Sequence, residues 1–169
     1  PPPSERLSRM SAVTAARIGR RLGRLGRTLA TAESCTGGLL GGRVTAVPGS
    51  SAWFVGGVIV YANAVKCRLL GVESRRLARF GAVSAETASA MADGVRRRLG
   101  ADYGIGITGI AGPGGAVPGK PVGTVWLAVA GPDGVVARRF RFAGGRTAVR
   151  QAACRKALEM LDERLPPVA

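Results

Sequence analysis

The stretch TAESCTGGLL, residues 31–40, sets Ser34, Cys35 and Thr36 between an apolar run and a pair of glycines. Three hydroxyl or thiol side chains in a row at such a boundary could carry acyl-transfer chemistry. If a strand hands over to a helix at Ser34, its hydroxyl and the backbone N–H groups of Cys35, Thr36 and Gly37 face one space at a sheet edge. There the serine can attack an acyl carbon while the N–H groups hold the developing oxyanion. The alternative is a plain helix cap, a role that serine often fills. A capping box would want Glu or Gln at position 37, and glycine stands there instead.

A serine nucleophile needs a base. The chain contains no histidine, which excludes a Ser-His-Asp triad, a Cys-His pair and any histidine-ligated metal. Lysine is the usual substitute, and Lys66 is the candidate. With Asn63 as N-cap of the segment AVKCRLL, Lys66 lies in a first helical turn, where the macrodipole disfavours an ammonium. A surface lysine is the alternative. Tyr61, at the end of the preceding strand, either hydrogen-bonds in the same site or serves as a core tyrosine. Cys35 competes with Ser34, because a thiol at a helix N-terminus is acidified.

The loop GITGIAGPGG offers Thr108, Gly109, Gly112 and further backbone N–H groups to a phosphate or carboxylate, although it matches neither common phosphate-binding signature. Arg146 and Arg150, at the start of the last helix, add guanidinium geometry suited to a phosphate. Cys35, Cys67 and Cys154 are too widely spaced for a disulfide framework or a CxxC metal site.

These residues need elements to position them. In 169 residues with 46% hydrophobic and 21% charged content, one domain of ordinary composition is expected. The proline-rich opening, residues 1–10, reads as a tail or linker remnant, and residues 11–169 as the domain. Helical spacing runs from Ser11 through Val13, Ile18, Leu22 and Leu25. TLATAE reads as a buried strand, CTGGLLGGRVTAV as a helix starting at Ser34, and SAWFVGGVIVY as a strand ending at Tyr61. Gly71 closes the Lys66 helix. ESRRLARFG gives a helical turn, and Ser84 caps AETASAMADGVRRRL up to Gly100. DYGIGITG is a strand, GTVWLAVA and VVARRFRF form a hairpin about GPDG, and a helix from Thr147 to Leu165 ends at two prolines. The order predicts an α/β layered domain, a mixed sheet with helices on both faces and one β-hairpin.

The net charge of +15 carries two readings. It fits a nucleic-acid or anionic partner, and it also fits a composition bias, since all but three basic residues are arginines in a chain rich in Gly, Ala and Val. No run is long enough for a membrane span, and no export signal opens the sequence, so the expected location is the cytoplasm.

Taken together, TAESCTGG, SSAWFVGGVIVYANAVK, GAVS before a helix, ITGIAGPGG followed by KPVGTVW, and GGRTAVRQAA resemble the CinA C-terminal domain family, also called PncC, over roughly residues 11–165. The family resemblance implies hydrolysis of the carboxamide of nicotinamide mononucleotide to nicotinate mononucleotide and ammonia, in pyridine nucleotide salvage. It implies Ser34 as nucleophile, Lys66 as base, Thr108 as the hydroxyl of the glycine loop, no cofactor, and a homo-oligomer. Ala62, Ala64 and Gly145 depart from the family's usual residues. A basic nucleic-acid-binding module, or a homologue that binds a pyridine nucleotide without hydrolysing it, are the competing functions.

Overall fold

The computed structural model describes residues 13–167; the expected tail, residues 1–10, lies outside them, as do Ser11 and Ala12. The elements in chain order are α1 (Ala15–Leu25), β1 (Leu29–Glu33), α2 (Leu39–Thr45), a 3-10 turn (Ser50–Ala52), β2 (Phe54–Ile59), α3 (Asn63–Leu70), α4 (Ser74–Phe80), α5 (Ala85–Leu99), β3 (Tyr103–Gly109), β4 (Thr124–Gly131), β5 (Gly134–Arg141) and α6 (Arg146–Arg164). The strands form one sheet in the order β2-β1-β3-β4-β5. β2, β1 and β3 are parallel; β3, β4 and β5 are antiparallel.

The mixed sheet, the helices on both faces and the β4–β5 hairpin agree with the sequence pattern. Side chains alternate along the strands. Leu29, Ile105, Ile107, Leu127 and Val129 pack on Ile18, Leu22, Leu40, Val44, Val149, Leu158 and Leu161 of α1, α2 and α6. Ala30 and Ala32 pack with Met91 and Val95 of α5, and Ala128 and Ala130 with its Ala88 and Ala92. This second face is built from small residues, so α5 lies close against the sheet. A Cβ on Gly104 or Gly106 of β3 would run into the backbone carbonyls of Ala92 or Ala88.

Local chemistry sets the helix ends. The Ser84 hydroxyl accepts the Thr87 N–H at 3.2 Å, Glu86 sits in the first turn of α5, Arg96, Arg97 and Arg98 in its last, and Gly100 ends it in the left-handed conformation. Gly71 closes α3 in the same way. At α1 the cap is Thr14, whose hydroxyl accepts the Arg17 N–H, so the helix begins at Ala15. At α3 the cap is Ala62, and Asn63 is the first helical residue rather than the cap. The expected strand SAWFVGGVIVY is shorter than its apolar run: Ser50–Ala52 form a 3-10 turn and the ladder ends at Ile59.

The crossover from β1 leads to β2 on one side, while the chain leaving β3 goes on to β4 on the other. The carboxyl ends of β1 and β3 therefore flank a point where connections diverge, the usual crevice of an open α/β sheet.

Candidate active site

Ser34 stands at that crevice. Its N–H donates to the Ile107 carbonyl at 2.9 Å, and the carbonyl of the preceding Glu33 accepts the Val60 N–H at 2.8 Å. Ser34 is thereby held between the carboxyl ends of β3 and β2, and it is 8% exposed.

The helix does not start at Ser34. Residues 35–38 form turns in which the Gly37 N–H donates to the Ser34 carbonyl at 3.1 Å and the Leu39 N–H to the Thr36 carbonyl at 3.2 Å. Gly37 and Gly38 both adopt positive φ, at 58° and 94°, which a right-handed helix cannot pass through, and α2 begins only at Leu39. Ser34 is therefore not an N-cap. The Gly37 N–H, expected among the oxyanion donors, is spent inside the turn. The N–H groups of Cys35 and Thr36 donate to no backbone carbonyl among the described residues.

The capping of α2 falls to a residue the sequence reading missed. Glu33 is 2% exposed, and its carboxylate accepts the N–H groups of Gly38, Leu40 and Gly41 at 3.1, 3.0 and 2.8 Å. A carboxylate at the positive end of a helix dipole satisfies the first-turn donors across a tight turn. The acid lies five to eight residues before the groups it serves, a separation that no local capping pattern covers.

Lys66 is 1% exposed. Its Nζ donates to the Tyr61 carbonyl at 2.8 Å, and no carboxylate pairs with it among the described residues. Burial is the main cause that brings its pKa below the ordinary lysine value of 10.5, with the thiols of Cys35 and Cys67 opposing more weakly. The first-turn position predicts a lowering by the helix dipole; burial is the largest cause in the folded chain. Tyr61 follows Val60, which pairs with Glu33, so the lysine amine sits one strand over from Ser34 at the same sheet edge.

Tyr61 is not a core tyrosine. It is 60% exposed, and its hydroxyl accepts a hydrogen bond from Arg146 Nη2 at 3.2 Å. Its contact with Lys66 is made by the backbone carbonyl. Cys35 is buried, and burial pushes its thiol up to about 11, the reverse of the acidified thiol a helix N-terminus would give. It is a poor nucleophile at neutral pH.

A cleft of about 210 Å³ opens here, lined by Cys35, Tyr61, Arg146 and the glycine loop, including Gly109 and Gly112. Arg146 Nη1 donates to the Gly112 carbonyl at 2.8 Å, clasping that loop. Thr108 is 1% exposed and its hydroxyl donates to the Ala82 carbonyl at 2.7 Å, so it ties β3 to the approach to α5. Arg150 Nη2 donates to the Thr36 carbonyl at 2.8 Å. The structure brings Ser34, Cys35, Thr36, Gly37, Tyr61, Lys66, Gly109, Gly112, Arg146 and Arg150 to one end of the sheet. Among the described residues, no group of three or more Cys, Asp or Glu is placed to hold a metal ion, and no helix is long and apolar enough to cross a membrane.

Known proteins share both sequence and fold. The CinA-like protein of Parasynechococcus marenigrum is 57% identical over 146 residues, 85% of this chain and 35% of that protein. The CinA-like protein of Gemmatimonas aurantiaca is 58% identical over 134 residues, 79% and 31%. The chain thus spans about a third of the length of the curated relatives it matches. Among solved structures, the competence/damage inducible protein CihA of Agrobacterium tumefaciens superposes with a TM-score of 0.86 at 46% identity, covering 88% of this chain and 92% of that one. The competence damage-inducible protein A of Klebsiella pneumoniae gives 0.87 at 37%, covering 89% and 94%. The family model for the CinA C-terminal domain matches residues 11–165, and the chain belongs to that family.

Proposed function

We propose that the site hydrolyses the carboxamide of nicotinamide mononucleotide, releasing ammonia and leaving nicotinate mononucleotide. The observation that carries this reading is Lys66: a lysine 1% exposed, bonded to the Tyr61 carbonyl and paired with no acid among the described residues, at the same sheet edge as Ser34. Burial lowers the pKa of such an amine, which brings the neutral form a general base requires within easier reach.

In the reaction, Ser34 Oγ bonds to the carboxamide carbon as its proton passes to Lys66 Nζ. The oxyanion that forms lies against the free Cys35 and Thr36 N–H groups. The carbon–nitrogen bond breaks, and Lys66 returns the proton to the departing ammonia. Water then attacks the acyl-serine as Lys66 takes its proton, the bond from the acyl carbon to Ser34 Oγ breaks as Lys66 returns that proton to the serine oxygen, and nicotinate mononucleotide departs. Arg146, which faces the cleft, keeps further N–H groups to offer a phosphate beyond those on Gly112 and Tyr61.

The test is ammonia release from nicotinamide mononucleotide by the wild type, Ser34→Ala and Lys66→Met. Both variants should fold and lose about a hundredfold or more of the activity. A silent wild type, or a Ser34→Ala protein as active as the parent, would sink the reading.

A further inference from the structure

Arg146 and Arg150 lie one helical turn apart at the start of α6, yet their surroundings differ. Arg146 lines the cleft; Arg150 is not among its lining residues. Arg150 Nε is buried with no partner among the described residues, while Nη2 holds the Thr36 carbonyl. Gly37 runs close by: a Cβ built on it would lie 3.5 Å from Arg150 Nη2.

The peptide unit joining Thr36 and Gly37 is thereby fixed at both ends. Its carbonyl accepts from Arg150 Nη2 at 2.8 Å and from the Leu39 N–H at 3.2 Å, and its N–H donates to the Ser34 carbonyl at 3.1 Å. Two consecutive left-handed glycines follow Thr36, and glycine restrains its own backbone least. Such a turn holds its shape through partners outside itself, and the arm reaching in from α6 is one. Loss of these anchors would loosen the turn that carries the Cys35 and Thr36 N–H groups.

We propose that Arg150 is a positioning residue, holding the Thr36–Gly37 peptide so that the Cys35 and Thr36 N–H groups stay aimed at the carbonyl oxygen of an amide attacked by Ser34, while Arg146 meets the anionic part of the substrate. The proposal rests on the amidohydrolase reading. It reassigns Arg150, which its residue type alone would give to the phosphate. A small displacement of oxyanion donors costs rate rather than ground-state binding, whereas loss of a phosphate contact shared by ground and transition states costs binding.

The experiment compares Arg150→Ala, Arg150→Lys and Arg146→Ala in steady-state ammonia release from nicotinamide mononucleotide, with amide hydrogen exchange over residues 34–38. Arg150→Ala should lower kcat by about tenfold to a hundredfold with KM within about twofold, and exchange in the turn should quicken while that of α5 stays put. Arg150→Lys keeps the charge without the planar fork, and should fall with the alanine variant. Arg146→Ala should raise KM by about tenfold or more. A raised KM at unchanged kcat in Arg150→Ala, full activity in Arg150→Lys, or unaltered exchange in the turn would each overturn the proposal. If the wild type releases no ammonia, the amidohydrolase reading fails by itself, and exchange in Arg150→Ala still decides whether Arg150 holds the turn.

Discussion

Lys66 donates to the carbonyl of Tyr61, five residues before it, at 2.8 Å, and so folds its amine back over the first turn of its own helix to the end of β2. The contact orients the amine without neutralising a charge. With burial lowering the pKa, the neutral base forms at lower pH than for a free lysine, so activity should rise with pH through a midpoint below 10.5. The unfolded chain holds this proton more tightly than the folded one. Stability contributed by Lys66 should therefore increase as pH climbs from its folded value towards 10.5, and be lowest below that window. Lys66→Met should remove the pH slope and raise the thermal midpoint at neutral pH while abolishing turnover. Calorimetry across pH beside a pH–rate profile checks both.

Glu33→Gln should destabilise the fold by about 1–3 kcal/mol, because one amide oxygen cannot replace a carboxylate that accepts three backbone N–H groups. Chemical denaturation measures this. A change below a few tenths would mean that α2 caps itself by another route.

Two glycines should respond in opposite senses to alanine. Gly106→Ala drives a methyl into the Ala88 carbonyl of α5 and should cost about 1–3 kcal/mol. Gly23→Ala, exposed in α1 with open space around its Cβ position, should add about 0.5–1 kcal/mol. Midpoints of urea unfolding give the comparison directly.

Thiol labelling separates the two nucleophile candidates. Cys67 is half-buried and should react first with an alkylating agent at neutral pH, while Cys35 and Cys154, buried and pushed up to about 11 and about 12, should wait for unfolding. Cys35→Ser should then keep most of the ammonia release. Its loss, with the fold intact, would move the nucleophile from Ser34 to Cys35.

The fold was legible where local rules act alone. Ser84, Glu86 and Gly100 mark both ends of α5, GPDG marks the hairpin, and the alternation of apolar strands with periodic helices gives the layers. The site was legible in its members and less so in their roles. Tyr61 looks like a strand residue because apolar character runs on past the ladder, which needs a partner strand to continue. Thr108 reads as a loop hydroxyl, and only the fold shows that it donates to the Ala82 carbonyl.

The sequence by itself determined the absence of histidine and hence the need for an unusual base, the candidates Ser34 and Lys66, and the layered α/β order. These follow from residue types and short-range periodicity. Tertiary structure decided that Glu33 caps α2, that burial lowers the Lys66 pKa, and that Arg150 reaches the Thr36 carbonyl. Each joins groups through packing rather than through their spacing along the chain. Burial and long-range hydrogen bonds exist only once the sheet has brought the strand ends together.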